Sequence, residues 1–463
     1  MALTLPVVAI VGRPNVGKST LFNRLIKKRK AIVGDRPGVT VDRLETECVI
    51  GGEPCVLVDT GGIGESQHGE MQGAIDSQVE AALEIADVVL FAVDAIAGVT
   101  PVDYALAQKL RKSNLPVILT VNKAENAGLA QEFFALGMGE PQPVSAAHGH
   151  GMQNLCKLIA KAVPKYDARD VASDEKPLAR VTVIGRPNVG KSTLINAWLG
   201  QDRMVVSPVA GTTRDAIDVD MPYEDGFIRL VDTAGQRKSG RIHDVIEFVA
   251  RVKAVQAFRR ADAAVMVLDG GEGIVEQDMR LMHLAQEEGC ALIVAVNKVD
   301  LLSDEDWKYY AERLDFRMRG LPDIPVFRIA AKHKKGVKKL LRHAVDAALA
   351  NGFEASTGKL NRWLHEAEKK QYAPSDGGAV VRLKYVSQTG TTPPTIRIFS
   401  NRPQAIKEPY KHYLEKSFRQ YFHLPGIPVR IHFSKTDNPY AEKSKDRAHA
   451  GQRRHKDKQK RKR

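Results

Sequence analysis

A glycine-rich stretch that ends in Lys-Ser occurs twice in this sequence of 463 residues. In both copies four residues separate two glycines, and the Lys-Ser pair follows the second glycine directly. In such a loop the backbone N–H groups surround phosphate oxygens, the lysine reaches the β- and γ-phosphates, and the serine hydroxyl binds Mg²⁺. The pattern therefore predicts two sites for a nucleoside triphosphate. The loop residues are Gly12, Arg13, Pro14, Asn15, Val16, Gly17, Lys18 and Ser19 in the first copy, and Gly185, Arg186, Pro187, Asn188, Val189, Gly190, Lys191 and Ser192 in the second.

A second motif follows each phosphate loop at the same distance, directly after an apolar run. Its aspartate can hold Mg²⁺ through water, while the N–H of its last glycine can contact the γ-phosphate. Alone, this short pattern is also common in turns, so it indicates a nucleotide site only because of its position in the chain. The residues concerned are Asp59, Thr60, Gly61 and Gly62 in the first copy, and Asp232, Thr233, Ala234 and Gly235 in the second.

The third motif indicates which base is bound. The carboxylate of Asp300 can accept hydrogen bonds from guanine N1–H and from the exocyclic amino group. Adenine offers no such donor pair and would leave the charge unpaired. In the first copy Glu125 stands at this position, and we expect guanine recognition to persist there with altered affinity. Both lysines are expected to pack along the base. The motif residues are Asn122, Lys123, Ala124 and Glu125, and Asn297, Lys298, Val299 and Asp300.

A loop that contacts the base is expected after the third motif. Alignment of Gly151 with Gly336 makes Ser145 the counterpart of Ala330. A backbone contact to guanine O6 survives this change, whereas hydroxyl support of the loop does not. The predicted loop residues are Ser145 and Ala146 in the first copy, and Ala330 and Ala331 in the second.

The motifs keep their order and spacing in the two copies, which indicates a duplicated domain. Gly12 and Gly185 are 173 residues apart, and Asn122 and Asn297 are 175 residues apart. Short apolar runs alternate with amphipathic stretches in each copy, which predicts α/β domains with mostly parallel sheets and helices on both faces. In such sheets ligands bind at the carboxyl ends of the strands, where the motifs fall. The predicted organisation is a first GTPase domain over residues 5–164, a charged linker over 165–178, a second GTPase domain over 179–350, a C-terminal module over 351–440 and a basic tail over 441–463.

Charge is distributed unevenly along the chain. The formal net charge is +14, and residues 441–463 hold eleven Lys and Arg against three acidic residues. Such a tail is either a solvated, disordered end or a contact for nucleic acid, in which affinity comes from counterion release. The four cysteines have no metal-ligand spacing, which favours a reducing compartment. No apolar run of about 18 residues occurs, so no membrane span is expected.

The C-terminal module has a mixed α/β order and a basic, aromatic set of side chains. This set forms a solvated helix face, binds RNA, or packs on a GTPase domain, and we favour a mixed role in which it docks against the GTPase domains and contacts RNA. No GxxG backbone clamp occurs between the predicted helices, so the standard KH mode of RNA binding is not expected. The predicted elements are a helix (Thr357–Ala367), two strands (Ala379–Ser387 and Thr395–Phe399), a helix (Tyr410–Tyr421) and a strand (Val429–Phe433). The basic, aromatic set is Arg402, Lys407, Tyr410, Lys411, Tyr413, Lys416 and Arg419.

The ordered motifs resemble those of Era-type GTPases, and two such domains before a C-terminal module resemble the EngA (Der) family. The resemblance covers about residues 5–440. It implies Mg²⁺-dependent hydrolysis of GTP to GDP and phosphate, binding to the large ribosomal subunit and its rRNA, and a role in maturation of that subunit. It also implies a KH-like fold for the C-terminal module. We expect a cytoplasmic monomer without membrane attachment.

The resemblance also assigns roles to residues of the switch segments. The switch threonines correspond to Thr40 and Thr213, with Thr212 as the competing candidate in the second copy. They would meet Mg²⁺ and the γ-phosphate. Ile63 stands where Ras-like enzymes carry a water-orienting glutamine, whereas the second copy has Gln236, which positions the attacking water or points to solvent. The set implied for Mg²⁺ is Ser19, Thr40, Asp59, Ser192, Thr213 and Asp232. The catalytic set is Thr40, Thr213, Gln236, Lys18 and Lys191.

Asn15 and Asn188 stand where related potassium-stimulated GTPases place a K⁺-coordinating asparagine. The alternative is that each asparagine only braces its phosphate loop. A regulatory GTPase without an RNA partner is the second functional reading, but it would need a lipidation site or a membrane-binding helix, and the sequence shows neither. A small-molecule kinase is disfavoured by the guanine-specific third motif.

Overall fold

The computed structural model describes residues 5–27, 45–62, 79–80, 82–164, 176–200, 218–232, 243–321, 323–373 and 380–435. Its contacts divide the chain into two compact units. The first unit contains two six-stranded sheets and ends at Ala348, apart from a short stretch around Ile324. The second unit begins at Leu349 and contains a three-stranded sheet.

The first sheet has the strand order β2-β3-β1-β4-β5-β6, and only the β2–β3 pair is antiparallel. Its strands are β1 (Val7–Val11), β2 (Glu45–Ile50), β3 (Glu53–Asp59), β4 (Val88–Asp94), β5 (Val117–Asn122) and β6 (Gln142–Pro143). The helices named in this domain are α1 (Lys18–Lys27), α2 (Pro101–Lys112) and α3 (Met152–Ala162), with 3₁₀ segments at Thr60–Gly62 and Ala127–Leu136.

Alternate residues of β1 supply two separate cores, because successive side chains of a strand point to opposite faces. Val7 and Ala9 belong to one buried cluster, which also contains Leu106 of α2. Val8 and Ile10 belong to the other, with Leu21 of α1 and residues of α3. Continuous apolar runs are therefore needed here, as the sequence indicated, because helices cover both faces of the sheet.

The second sheet repeats the first, with the order β12-β11-β10-β7-β9-β8 and one antiparallel pair, β8–β9. Its strands are β7 (Ala179–Ile184), β8 (Val219–Tyr223), β9 (Gly226–Val231), β10 (Ala263–Asp269), β11 (Ala291–Asn297) and β12 (Val326–Arg328). The accompanying helices are α4 (Lys191–Leu199), α5 (His243–Arg260), α6 (Glu276–Glu288), α7 (Asp304–Arg317) and α8 (Val337–Ala350), with 3₁₀ turns at Val299–Leu301, Met318–Gly320 and Ala331–His333.

The C-terminal sheet has the order β13-β14-β15, antiparallel and then parallel. Two helices cover one of its faces, and aromatic side chains pack between them. The rings of Trp363 and Phe418 meet edge to face, with centroids 5.0 Å apart. The predicted order of elements is confirmed, with bounds shifted by a few residues. The elements are α9 (Thr357–Lys370), β13 (Leu383–Gly390), β14 (Thr395–Ser400), a 3₁₀ turn (Pro403–Ala405), α10 (Glu408–Phe422) and β15 (Arg430–Lys435).

Two parts of the predicted organisation lie outside the described residues: most of the linker, at 165–175, and the basic tail, at 441–463. Within the described part, no helix is both long and apolar enough to cross a membrane. The predicted fold class, two α/β domains with mostly parallel sheets followed by a smaller α/β module, is confirmed.

Candidate functional site

The first phosphate loop joins β1 to α1, and two of its glycines are required by close approaches. A Cβ atom at Gly12 would lie 2.2 Å from the carbonyl oxygen of Ala92 on β4. Gly17 has φ +88°, and its Cβ would lie 2.4 Å from Nδ2 of Asn122. Only glycine fits these two positions, because it has no Cβ atom and because it tolerates the positive φ of Gly17. The second loop, between β7 and α4, shows the same pattern at Gly185 and Gly190, whose Cβ atoms would lie 2.4 Å from Val267 O and 2.2 Å from Asn297 Nδ2.

The lysine of each phosphate loop lies back over its own loop. Nζ of Lys18 donates hydrogen bonds to the carbonyl oxygens of Gly12, at 2.7 Å, and Arg13, at 2.9 Å. Nζ of Lys191 donates to the carbonyl oxygen of Arg186 at 2.6 Å. Burial lowers the pKa of Lys191 to about 8. A bound phosphate would give this buried ammonium the anionic partner that favours its charged form.

One asparagine links the phosphate loop to the base loop in each domain. Nδ2 of Asn122 donates to the carbonyl oxygen of Val16 at 2.8 Å, and its Oδ1 accepts from the N–H of Ala146 at 3.1 Å. In the second domain, Asn297 makes the same two bonds, to Val189 at 2.9 Å and from Ala331 at 3.0 Å. The predicted phosphate and base motifs, distant in sequence, are therefore tied together by one side chain.

The lysine of the third motif pairs with an aspartate that sequence reasoning did not select. Nζ of Lys123 lies 2.6 Å from Oδ2 of Asp94, the last residue of β4, and also donates to the carbonyl oxygen of Asn15 at 3.0 Å. Lys298 pairs with Asp269, the last residue of β10, at 2.5 Å. The signal was present, because a charged residue ends an otherwise apolar strand in both copies.

Asp94 and Asp269 remain ionised because hydrogen bonds from their partners lower the pKa of each carboxyl group by more than burial raises it. Burial by itself raises the pKa of Asp269, but hydrogen bonds from Lys298 and from the N–H of Gly271 outweigh it and lower the pKa. Asp94 shows the same balance, with Lys123 and the N–H of Ile96 as its partners. The base lysines are therefore fixed by a charge before any nucleotide contacts them.

The two base loops close in the same way. Ser145 and His150 form an isolated antiparallel bridge, and Ala330 and Lys335 form the corresponding one. Arg24 of α1 donates to the carbonyl oxygen of Ala146 at 2.7 Å, which ties the first loop to the helix after the phosphate loop. The shared bridge places Ala330 at the position that Ser145 occupies in the first domain.

The carboxylates that would read guanine have different surroundings. Glu125 is exposed. Asp300 is also exposed, but its Oδ2 lies 3.4 Å from Nε2 of His333 on the following base loop. His333 was not selected from the sequence. The two predicted base-reading positions therefore differ in the neighbours of the carboxylate as well as in its length.

The second motif places an aspartate at the end of β3 and directly after β9. Asp59 is buried, and its Oδ1 accepts from the N–H of Gly61 at 2.9 Å. A Cβ at Gly61 would lie 2.7 Å from Cε of Lys18 and 3.0 Å from Oδ1 of Asp59. The Lys18 side chain and the Asp59 carboxylate therefore both lie close to Gly61. Asp232 differs: it has φ +55°, and its N–H donates to Oδ1 of Asp218 at 3.2 Å.

An arginine of each phosphate loop pairs with a buried aspartate in the first turn of a later helix, α2 in the first domain and α6 in the second. Nε of Arg186 lies 3.1 Å from Oδ1 of Asp278, which is 0% exposed. The same guanidinium donates to Glu272 at 2.8 Å and to the carbonyl oxygen of Gly273 at 3.3 Å. We name this arrangement the arginine clamp. It fixes the second phosphate loop to α6 and to the turn before it.

The clamp of the first domain is looser. Nε of Arg13 lies 3.5 Å from Oδ2 of Asp103, which already accepts from the hydroxyl of Thr100 at 2.7 Å. Among the described residues, Nε and Nη2 of Arg13 and Oδ1 of Asp103 are buried without a hydrogen-bond partner. The position of Glu272 is taken by Ala97 in the first copy, which removes one acceptor.

The basic, aromatic set predicted for the C-terminal module does not form one exposed face. Tyr410 is buried, and its hydroxyl donates to the carbonyl oxygen of Gln371 at 3.0 Å. The hydroxyl of Tyr413 donates to the carbonyl oxygen of Ala367 at 2.7 Å. Both hydroxyls bind backbone carbonyls at the end of α9, so the role of these tyrosines is structural within the module, which differs from all three alternatives that the sequence left open.

Several predicted site residues lie outside the part of the chain that the structure describes. They are Thr40, Ile63, Thr212, Thr213, Thr233, Ala234, Gly235 and Gln236. The remaining motif residues lie at the carboxyl ends of β1, β3, β5 and β6 and of their counterparts β7, β9, β11 and β12. Each sheet thus carries phosphate, second-motif and base residues along one edge, as a mononucleotide site requires.

The motifs and the fold agree with the comparisons to known proteins. A family model described as a 50S ribosome-binding GTPase matches residues 7–123 and again 180–298, and a model of the KH-domain-like region of EngA bacterial GTPases matches residues 355–434. GTPase Der of Rhizobium etli is 39% identical over 95% of this chain and 99% of its own length. The chain belongs to the Der (EngA) family of GTPases.

Family membership makes this chain a GTPase that binds guanine nucleotides through two P-loop domains. GTPase Der of Rhodopseudomonas palustris is also similar, with 40% identity over 94% of this chain and 98% of its own length. Among solved structures, Era in complex with MgGDPNP and a segment of 16S ribosomal RNA is similar at 20% identity, with a TM-score of 0.30 over 56% of this chain and 92% of that one.

Proposed function

We propose that this GTPase of the Der family is a two-site switch that acts in maturation of the large ribosomal subunit, as a cytoplasmic monomer that binds the rRNA of that subunit. The observation that carries the proposal is that both domains retain the asparagine link between phosphate loop and base loop. The KH-like module and the net charge of +14 support a nucleic-acid partner.

Mg²⁺ fits the residues of the first site. Ser19 begins the helix after the phosphate loop, and the buried carboxylate of Asp59 borders the same point as Lys18. Hydroxyl and carboxylate oxygens are the ligands that Mg²⁺ prefers, together with phosphate oxygens and water. Among the described residues, no cluster of three or more His, Cys, Asp or Glu side chains could hold a metal by itself. Mg²⁺ would therefore arrive with the nucleotide, held by Ser19 and Asp59, or by Ser192 and Asp232, and would neutralise phosphate charge.

The residues of this chain would bind the phosphates and the base and would orient the reacting groups. The phosphate loops surround the phosphates, Lys18 and Lys191 move from carbonyl oxygens to phosphate oxygens, and the third motif reads guanine. Thr40 and Thr213 would respond to the γ-phosphate, and Gln236 would orient the attacking water in the second site only. With Ile63 at the corresponding place, the first site would hydrolyse GTP by a different arrangement.

Sedimentation of a cell lysate tests the proposed partner. The lysate is separated on a sucrose gradient in a non-hydrolysable GTP analogue and, in parallel, in GDP. We expect the chain to migrate with large ribosomal subunits in the analogue. Persistent absence from the ribosomal fractions in both nucleotides would contradict the proposal and favour a regulatory GTPase without an RNA partner.

A further inference from the structure

The C-terminal sheet has one face that its helices do not cover. Along β14, Ile396, Ile398 and Ser400 are buried, and the alternating residues Thr395, Arg397 and Phe399 point the other way. The registers bring Tyr385 beside Phe399 and His432 beside Arg397. We name this the outer sheet face, and its members are Tyr385, Ser387, Thr395, Arg397, Phe399, Arg430, His432 and Ser434.

A stacked aromatic pair lies on the outer sheet face. The rings of Tyr385 and Phe399 are nearly parallel, with 16° between their planes and centroids 4.2 Å apart. Tyr385 is 42% exposed. A flat aromatic surface that is open to solvent suits a nucleobase, because every base has a π-face.

A group of cations lies next to the aromatic pair. Arg397 and His432 are both exposed. Partial burial, and then the positive charges of Lys411, Arg397 and Arg430, lower the pKa of His432, so the imidazole is neutral at neutral pH and the two arginines carry the positive charge of this face. The outer sheet face therefore combines flat rings with concentrated positive charge, which is the combination that binds the bases and phosphates of a single strand.

β15 ends beside the aromatic pair. Phe399 is paired with Ser434 and Ser400 with Lys435, the last residue of β15. In the sequence, residues 441–463, with their eleven Lys and Arg, begin six positions after Lys435 and lie outside the described residues.

We propose that the outer sheet face binds single-stranded RNA, with bases stacked on Tyr385 and Phe399 and phosphates held by Arg397 and Arg430. This mode differs from the helix-flanked GxxG clamp, which the sequence lacks, and uses the sheet in the way that other β-sheet RNA readers do. This proposal rests on the proposed function, which includes an RNA partner. It adds which surface of the protein binds the RNA and that the RNA is single-stranded.

Direct binding to a short RNA tests the proposal. The probe is a fluorescein-labelled oligouridylate of about twelve nucleotides, titrated with the full-length chain at several salt concentrations. Loss of stacking in Tyr385→Ala should weaken binding about 10-fold and leave the salt dependence unchanged. Loss of a phosphate contact in Arg397→Gln should lower the slope of log affinity against log salt by about 0.7.

Three controls make the result specific. Tyr385→Phe should bind as the unaltered chain does, because the ring remains. Tyr421→Ala removes another exposed tyrosine, on α10 of the same module, and should have no effect. The far-ultraviolet circular dichroism spectrum and melting curve of the full chain should be equal in all variants, which shows that the C-terminal module of each is folded.

Two outcomes would overturn the proposal. In the first, Tyr385→Ala and Arg397→Gln bind the oligouridylate as tightly, and with the same salt slope, as the unaltered chain. In the second, Tyr385→Ala still binds the oligouridylate but no longer migrates with large subunits, which would assign the face to a protein partner. Failure of the unaltered chain to migrate with large subunits would instead contradict the proposed function.

Discussion

At the scale of single residues, the two arginine clamps show how duplicated sites come to differ. Arg186 donates to Asp278, Glu272 and Gly273, whereas among the described residues Arg13 has one ion pair, with Asp103 at 3.5 Å. Two substitutions account for the difference. Glu272 is replaced by Ala97, and Val275 by Thr100, whose hydroxyl competes for the carboxylate of Asp103. The second phosphate loop is therefore held more firmly.

Neutralising the clamp aspartate tests this difference. Asp278→Asn leaves the guanidinium of Arg186 without its buried charge partner, and removal of one member of such a pair costs about 3 kcal/mol. We expect a lower melting temperature and release of GDP from the second site at least tenfold faster. Asp103→Asn, the matched change in the first domain, should have a smaller effect on the first site. Equal effects at the two sites would contradict the account.

The K⁺ role proposed for Asn15 and Asn188 is also a residue-scale prediction. Both have positive φ, near +65°, and both are exposed, so each side chain is open to a ligand. We expect GTP hydrolysis by the full chain to be faster in K⁺ than in Na⁺, and Asn188→Ala to reduce the difference. Rates that match in the two buffers would instead leave these asparagines as braces of the loop.

At the scale of elements, the helix after each phosphate loop is anchored at its far end by different chemistry. In the first domain, Arg24 of α1 donates to the base-loop carbonyls of Ala146 and Ala147. In the second, Nε1 of Trp198 on α4 donates to the carbonyl oxygen of Val337, the first residue of α8, at 2.9 Å. Both anchors hold the phosphate-binding end and the base-binding end of a site at a fixed separation.

Shortening the tryptophan tests the second anchor. Trp198 is buried, so Trp198→Phe removes the indole donor from the carbonyl of Val337 and creates a small cavity. We expect a loss of unfolding free energy of about 2 kcal/mol, and weaker GDP binding at the second site. Trp307→Phe is the control, because Trp307 is only half-buried and stacks on Tyr310. Equal stability losses in the two variants would contradict the anchor.

Local patterns predicted the phosphate and base motifs and the order of strands, because glycine spacing and apolar runs are properties of neighbouring residues. They did not identify Asp269 as the partner of Lys298, or Asp278 as the partner of Arg186. These pairs are distant in sequence and are set by how strands and helices pack. The same limit explains Tyr410 and Tyr413, whose helix face could not be assigned to core or solvent without α9.

At the scale of the whole molecule, the first unit joins its two GTPase domains through α5. Val252 of α5 lies in the buried cluster of the first sheet, with Val79 and Ala82. Arg259 pairs with Glu47 of β2 in the first domain and with Glu288 in its own. In the sequence, β2 begins shortly after the predicted switch residue Thr40, and α5 begins shortly after Gln236.

A double-mutant cycle on Glu47 and Arg259 measures the coupling across this contact. Glu47→Gln, Arg259→Gln and the double variant are compared by urea unfolding of the full chain. We expect a coupling energy of about 1 to 2 kcal/mol, because both side chains are largely buried. The exposed pair Glu276–Arg280 serves as the control, with a coupling near zero. A value for Glu47 and Arg259 that equals this control would contradict a firm contact between the domains.

The most direct test of the account is a count of guanine sites after one base-reading carboxylate is changed. Asp300→Asn replaces two acceptors with an amide that can donate to the 2-carbonyl of xanthine, so the second site should lose GDP and gain XDP. Calorimetry of the full chain should show two GDP sites of unequal affinity, and the variant should show one GDP site and one XDP site. Two identical GDP sites, or a variant that still binds two GDP molecules, would contradict the claim of two distinct guanine-reading sites.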